Sequence, residues 1–382
     1  MIMAHPKLRV LVVFGTRPEA IKLAPVVQTL QRRSDVCAVR ICATAQHREM
    51  LDQVLEVFGI TPDIDLHLMQ PSQSLSGLGA RVLAAMDDVL VADQPDWVLV
   101  QGDTTTVMMT ALAAQHRQVR VGHVEAGLRT YDRRNPFPEE MNRVVTDHVS
   151  DLCFAPTETA RQQLIREGIA AERITVTGNT VIDALLGVAR ENWSPPPGHL
   201  LADLPTGRDW ILVTAHRREN FGAALAGICQ ALARIGHERG QQAHVIYPVH
   251  RNPNVWEPVH DLLDGLPGIT LLPPVDYRSL IYLMQRCKLI LTDSGGLQEE
   301  APSLDKPVLV LRTTTERPEA LAAGATRLVG ADPQRIVAET YRLLDDASAY
   351  AHMAAAPNPY GDGQAAQRIV DVLLSTAPAA QT

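Results

Sequence analysis

The 382-residue chain is 46% hydrophobic, 20% charged and only 4% aromatic, a globular composition whose core must be aliphatic and whose length suits two to three domains of about 150 residues. Its 35 Lys+Arg against 43 Asp+Glu leave a net charge of -8, which excludes the broad basic face of a non-specific nucleic-acid binder. No apolar run approaches the ~18 residues of a membrane span, and the short apolar run after the N-terminus ends in charge, unlike a secretory signal. Five scattered cysteines without a CxxC pair predict reduced, mostly buried thiols, a cytoplasmic setting and no zinc site.

Short runs rich in Val, Ile and Leu predict strands at Arg9–Phe14, Val36–Thr44, Trp97–Gln101, Val119–Val124, Leu152–Ala155 and Ile174–Val176. A second series follows at Trp210–Thr214, His244–Pro248, Ile269–Leu272, Leu289–Thr292, Pro307–Leu311 and Arg327–Val329. Continuous apolar strands of this kind are covered on both faces. Amphipathic stretches at Glu19–Arg33, Glu49–Phe58, Leu75–Val91, Thr157–Glu167, Ala224–Glu238 and Leu297–Ser303 predict helices between them. The alternation predicts an α/β fold of two Rossmann-like, doubly wound domains. The stretch 192–207 carries three consecutive prolines, which neither a helix interior nor a central strand accepts. It divides the chain into an expected first domain at 1–191, a linker at 192–207 and a second domain at 208–362, with a C-terminal helix at 363–376 expected to pack back on the first.

The motifs fall at the carboxyl ends of predicted strands, where open α/β sheets bind ligands. Gly15-Thr16-Arg17-Pro18-Glu19 ends the first strand. Pro18 suits a first helical turn, and Arg17 and Lys22 stand beside a helix N-terminus able to receive an anion. No GxGxxG follows any strand, which argues against a dinucleotide and hydride chemistry. Gln101-Gly102-Asp103 ends the third strand, with Asp103 read either as a site acid or as an N-cap. Glu125 ends the fourth. Glu139 and Arg143 are four apart on a predicted helix, a spacing that puts them on one face and lets them pair, although acids at 139 and 140 also suit a first turn. Asp103, Glu125 and Glu139 thus fall where one crevice is expected, and clustered acids suit acid and base roles.

In the second half, His216, Arg217 and Arg218 end a strand and read as a diphosphate clamp, with a related cluster at His250. Asp293-Ser294-Gly295-Gly296 leads into a helix carrying Glu300. Glycines there let backbone amides approach phosphate, Ser294 being either a donor to it or a plain N-cap. Arg317-Pro318-Glu319 repeats the Arg-Pro-Glu of the first half. A cleft between the two domains is expected to hold a diphosphate bearing a reacting group.

Eleven segments in register, from FGTRPEAIKLAPVV through QGDTTT, GHVEAGLRT, PFPEEMNR, VTAHRREN and LTDSGGLQEE to TTERPEAL, resemble the non-hydrolysing UDP-N-acetylglucosamine 2-epimerases of bacteria. The resemblance implies a GT-B-like fold, a homodimer and interconversion of UDP-N-acetylglucosamine and UDP-N-acetylmannosamine without a cofactor or a metal, a reaction that serves cell-surface polysaccharide synthesis. Carried over by motif, Asp103, Glu125 and Glu139 would be the acid/base groups, with His216 and Arg143 beside them in catalysis. Arg17 and Lys22 would lie on the phosphate side. Ser294, Gly295, Gly296 and Arg317 would hold the diphosphate, with His216, and Glu300 the ribose. The uracil would lie by Val275 and Leu280, where many members carry Gln and Phe. Gln46 and His250 match a second nucleotide-sugar site found in some members, and Ser72 stands where regulated members have Arg.

The chemistry suits these residues. The sugar C2 proton is not adjacent to a carbonyl, so an elimination, in which UDP leaves C1 as a carboxylate takes the C2 proton, is the expected route. The alternatives are a GT-B-type glycosyltransferase, a UDP-sugar hydrolysing epimerase or, from another class, a catalytically silent nucleotide-sugar sensor.

Overall fold

The computed structural model describes residues 7–44, 48–70 and 73–376. The chain forms two compact units, one from residues up to 187 together with those from 360 on, the other from 188–359.

The first unit is built on a seven-stranded sheet: β1 (Leu8–Phe14), β2 (Cys37–Ala43), β3 (Ile64–Asp65), β4 (Trp97–Gln101), β5 (Arg120–Val124), β6 (Leu152–Ala155) and β7 (Ile174–Val176). Its order is β3-β2-β1-β4-β5-β6-β7, and every pairing is parallel. The second unit carries β8 (Asp209–Thr214), β9 (Ala243–Pro248), β10 (Ile269–Leu272), β11 (Cys287–Thr292), β12 (Val308–Val310) and β13 (Thr326–Leu328). Their order, β10-β9-β8-β11-β12-β13, repeats the first: the chain winds outward one way, returns to the centre and winds the other way. The reversal falls between β1 and β4 in one unit and between β8 and β11 in the other, and this is where a doubly wound sheet opens a crevice. The α/β, doubly wound architecture expected from the alternation is present in both units.

Side chains on both faces of the strands are buried, as parallel sheets require. In the first unit, Leu11, Val13, Val98, Val100 and Val121 pack under Leu78, Val82, Met86, Val107 and Ala111 of two helices. Val10, Val12 and Leu99 are buried too. In the second, Ile211, Val213, Val245, Leu289 and Leu291 pack against Ile228, Leu232 and Ile336. The cysteines are free and buried, and burial pushes the thiols of Cys42, Cys229 and Cys287 up to about 12.

Two segments depart from the simplest chain course. Residues 192–207 pack within the second unit: Leu201 and Leu204 are buried, the Trp210 indole donates to the Pro205 carbonyl at 2.8 Å, and Trp193 meets Tyr282 edge to face. The helix Ala365–Ser375 belongs to the first unit. Asp183 accepts from its first two amides, Ala365 at 3.2 Å and Ala366 at 2.9 Å, and so caps it in the manner of a side-chain N-cap.

Candidate functional site

The first helix starts as its sequence indicates. Arg17–Arg32 has Pro18 in its first turn, and Glu19 turns back to accept from the amides of Gly15 at 2.6 Å and Thr16 at 3.0 Å. Glu19 is buried, and burial pushes its carboxyl up against the opposing pull of those amides. The acid of the Arg-Pro-Glu motif is therefore spent on the turn. Arg17 is half-buried and has no hydrogen bond or ion pair among the described residues.

Asp103 and Glu125 follow β4 and β5, neighbours in the sheet. Asp103 does not cap the next helix, Thr105–His116. That cap is Thr104, whose hydroxyl accepts from the Val107 amide. The Asp103 carboxylate instead takes Arg143 Nη2 at 2.6 Å, and Asn142 Nδ2 donates to its carbonyl at 2.8 Å. The pairing of Glu139 with Arg143 that their spacing allows does not form. Arg143 turns to Asp103 and, at 3.5 Å, to Glu140, and Glu139 has no hydrogen bond or ion pair among the described residues. Glu140 is buried and accepts from the amides of Thr130 and Tyr131, holding the loop behind β5. So of two acids in one helical turn, one shapes the loop and the other has an open carboxylate.

Glu125 is buried and accepts from Lys22 Nζ at 2.5 Å, Asn179 Nδ2 at 2.8 Å and Gln101 Nε2. Its φ of 67° lies in the left-handed region, uncommon for a residue with a side chain and concentrated at functional sites. Lys22 was expected beside a phosphate, and the structure places it on this carboxylate. Gln101 and Asn179 carry no signal in the chain beyond standing at element ends, and Asn142 none beyond lying in a first helical turn. Their roles depend on partners 24, 39 and 54 residues away.

The second unit gathers cations around one buried acid. Asp293 is fully buried at the end of β11. It accepts from the amides of His216 at 2.9 Å and Arg217 at 2.8 Å, and from Asn220 Nδ2 at 2.9 Å. That ties the turn after β8 to the turn after β11. The His216 ring stacks on His250 with centroids 5.4 Å apart. Burial holds His216 below the ordinary imidazole value, and His250 and Arg217 add to this against the opposing charge of Asp293.

A methyl placed on Gly295 would lie 3.6 Å from Arg217 Nη2 and 3.8 Å from Arg317 Nη2, so two guanidinium groups meet over a glycine turn. Arg217 Nε is buried with no hydrogen-bond partner among the described residues, a donor available to an external acceptor. Arg317 is itself tied to Glu299. Ser294 begins the helix Gly295–Glu300, but its hydroxyl does not cap it. Glu300 is buried and accepts from the Tyr277 hydroxyl at 3.1 Å, with its other oxygen 3.7 Å from a methyl placed on Gly296. Tyr277 opens the helix Tyr277–Arg286, with Leu280 one turn in and Val275 just before it, both half-buried. Gln46 and Ser72 lie outside the described residues. Among the described residues, no cluster of His, Cys, Asp and Glu suits a metal ion, and no helix is long and apolar enough to cross a membrane.

The family model for UDP-N-acetylglucosamine 2-epimerase matches residues 28–374. A protein of that name from Salmonella typhimurium is 54% identical over 373 residues, covering 96% of this chain and 99% of that one. One from Escherichia coli is 53% identical over 371 residues, covering 96% and 98%. The crystal structure of UDP-GlcNAc 2-epimerase from Neisseria meningitidis bound to UDP-GlcNAc aligns with a TM-score of 0.85 at 44% identity, covering 97% of this chain and 100% of that one.

Proposed function

Because the chain belongs to the UDP-N-acetylglucosamine 2-epimerase family, we propose that it interconverts UDP-N-acetylglucosamine and UDP-N-acetylmannosamine by eliminating UDP and adding it back. It is an isomerase of the non-hydrolysing type, and its two doubly wound units have the GT-B-like fold of that family. The observation that carries the mechanism is the pair of carboxylates after β4 and β5, joined by a third at the start of the helix Glu139–Val149. Two are braced, Asp103 by Arg143 and Glu125 by Lys22, Gln101 and Asn179. The third, Glu139, stands one helical turn from Arg143.

A carboxylate of this set takes the C2 proton. The C2–H electron pair forms the C1=C2 bond, and the C1–O bond breaks with its electrons leaving on UDP. The intermediate is 2-acetamidoglucal. UDP then re-adds at C1 while a protonated group of the set delivers a proton to the opposite face of C2. Acid/base groups of this kind contribute about 10²- to 10⁴-fold. The leaving diphosphate needs fixed positive charge and hydrogen-bond donors; Arg217 and Arg317 over Gly295 would supply the charge, and Ser294, the Gly295 and Gly296 amides and the His216 ring would supply donors. Arg17 would add to the phosphate side, and Glu300 would hold the ribose hydroxyls, with the uracil by Val275 and Leu280.

The acids thus belong to residues 1–191 and the nucleotide site to 208–362. By the resemblance, Gln46 and His250 would belong to a second nucleotide-sugar site. A homodimer and a role in supplying surface polysaccharide complete the reading.

The test is incubation with UDP-N-acetylglucosamine in deuterium oxide, followed by NMR. Both epimers should appear with deuterium at C2 and without net loss of UDP-sugar. Full retention of the C2 proton would overturn the elimination. Free UDP released at the rate of turnover would establish the hydrolysing alternative.

A further inference from the structure

His123 sits in β5 with its side chain fully buried. Its Nδ1 lies 2.6 Å from Asp147 Oδ1, and its Nε2 lies 2.7 Å from the Gly102 carbonyl oxygen. A carbonyl oxygen can only accept, so Nε2 carries a proton. An ionised carboxylate can only accept as well, so Nδ1 carries one too. Asp147 is the ionised partner. Its second oxygen takes Arg129 Nη1 at 2.7 Å and the Gly127 amide at 3.2 Å. Burial pushes its carboxyl up, but His123 and Arg129 outweigh burial and hold it below the ordinary value. Arg129 passes on to Glu167 through two bonds of 2.7 and 2.6 Å. Two cations and two anions then make a neutral buried set, which avoids the cost of a lone buried charge. The other titratable neighbour of the ring is Cys153, across the sheet in β6, whose thiol burial pushes up and so keeps uncharged.

We propose that His123 is a standing imidazolium and a positioning residue for Asp103. Its Nε2–H clamps the carbonyl of Gly102, the residue before Asp103. The Gly102 amide in turn donates to the Val124 carbonyl at 3.2 Å, so β5 holds both backbone groups of Gly102. Gly102 has φ of 85°, a conformation that glycine takes without strain and that a charged clamp can hold as one state. The proposal rests on the reading of Asp103 as a reacting group. It extends that reading from the acid itself to what fixes the acid's place.

The test begins on the native protein labelled with ¹⁵N in its histidine rings. The His123 pair, identified by its absence in His123→Gln, should show two protonated nitrogens at neutral pH. One protonated and one bare nitrogen would overturn the imidazolium. In kinetics, His123→Ala should lower kcat on the order of ten- to a hundredfold, the scale of a misplaced group, with KM for UDP-N-acetylglucosamine little changed. His123→Gln, which keeps a donor for the Gly102 carbonyl, should recover part of that loss. Native kcat in a folded His123→Ala, or a change confined to KM, would overturn the positioning role. Near-normal turnover by Asp103→Asn would overturn it through its premise, while the ring spectrum reports on the imidazolium independently.

Discussion

Asp103 and Asp293 occupy matching places in the two units. Each follows the strand just across the reversal point of its sheet, β4 beside β1 and β11 beside β8, yet they do different work. Asp293 is fully buried and accepts from two backbone amides and an Asn side chain, so it builds a turn. Asp103 keeps a carboxylate 30% exposed and meets one guanidinium, so it remains able to face a ligand. The same contrast runs through the surroundings. The first unit braces acids with Lys22, Arg143 and side-chain amides, and the second uses Asp293 to hold the His216–Arg217 turn and Glu299 to hold Arg317. A repeated scaffold thus carries a set of acids around one crevice and a histidine–guanidinium cluster around the other, the division the proposed elimination calls for between proton transfer and leaving group.

The sharpest way to break this contrast is to neutralise the acids. Asp103→Asn, Glu125→Gln and Glu139→Gln should each lower kcat by roughly a hundredfold or more, while UDP affinity, read by calorimetry, changes little. Three variants with native kcat would remove the first unit from the chemistry.

Next in size are the cations. If Arg217 and Arg317 hold the diphosphate as proposed, Arg217→Ala and Arg317→Ala each remove charged hydrogen bonds worth about 1.5–3 kcal/mol, and should weaken UDP binding by about ten- to a hundredfold. Because the leaving group loses the same support, kcat should fall as well. Native UDP affinity in both would misplace the nucleotide.

Asp293→Asn offers a finer test of the turn-building role. An amide set against three donors leaves one of them facing another donor, a cost of about 1–3 kcal/mol. This should appear as a lower denaturation midpoint. An equal loss for Asp103→Asn would erase the distinction between the two aspartates.

The smallest effect concerns His216, whose proton is disfavoured in the folded state by burial, His250 and Arg217. The unfolded chain therefore binds more protons as pH falls through about 6.5, so this contribution to stability holds above that value and is lost below it. His250→Ala removes one like charge and should move the His216 titration upward, a shift that ring NMR can follow. A downward shift would mean that the stacked ring supports the proton.

Much of the fold is legible along the chain because parallel strands buried on both faces are continuous apolar runs, and Trp97–Gln101, Leu152–Ala155, Ile174–Val176 and Ile269–Leu272 appear with the bounds their composition indicates. Ile64–Asp65 is too short to leave a pattern. Thr105–His116 escapes because it is largely apolar, without a clear polar face. The strand-end residues were legible for a related reason. In a doubly wound sheet, the residue after a strand is already placed near the ligand.

Partner choice was not legible. Arg143 is equally able, by spacing, to meet Glu139 or Glu140, yet it reaches Asp103 from 40 residues away. Lys22 reads as a phosphate ligand until Glu125, 103 residues on, is set 2.5 Å from it. The sequence by itself determined which residues stand at the carboxyl ends of the strands, since strand period and helix-start chemistry act within a few residues. Only the tertiary structure decided which acids are braced, which acid builds a turn and which groups face the two ring nitrogens of His123. Those outcomes depend on distances of a few ångströms between segments that local preference leaves independent.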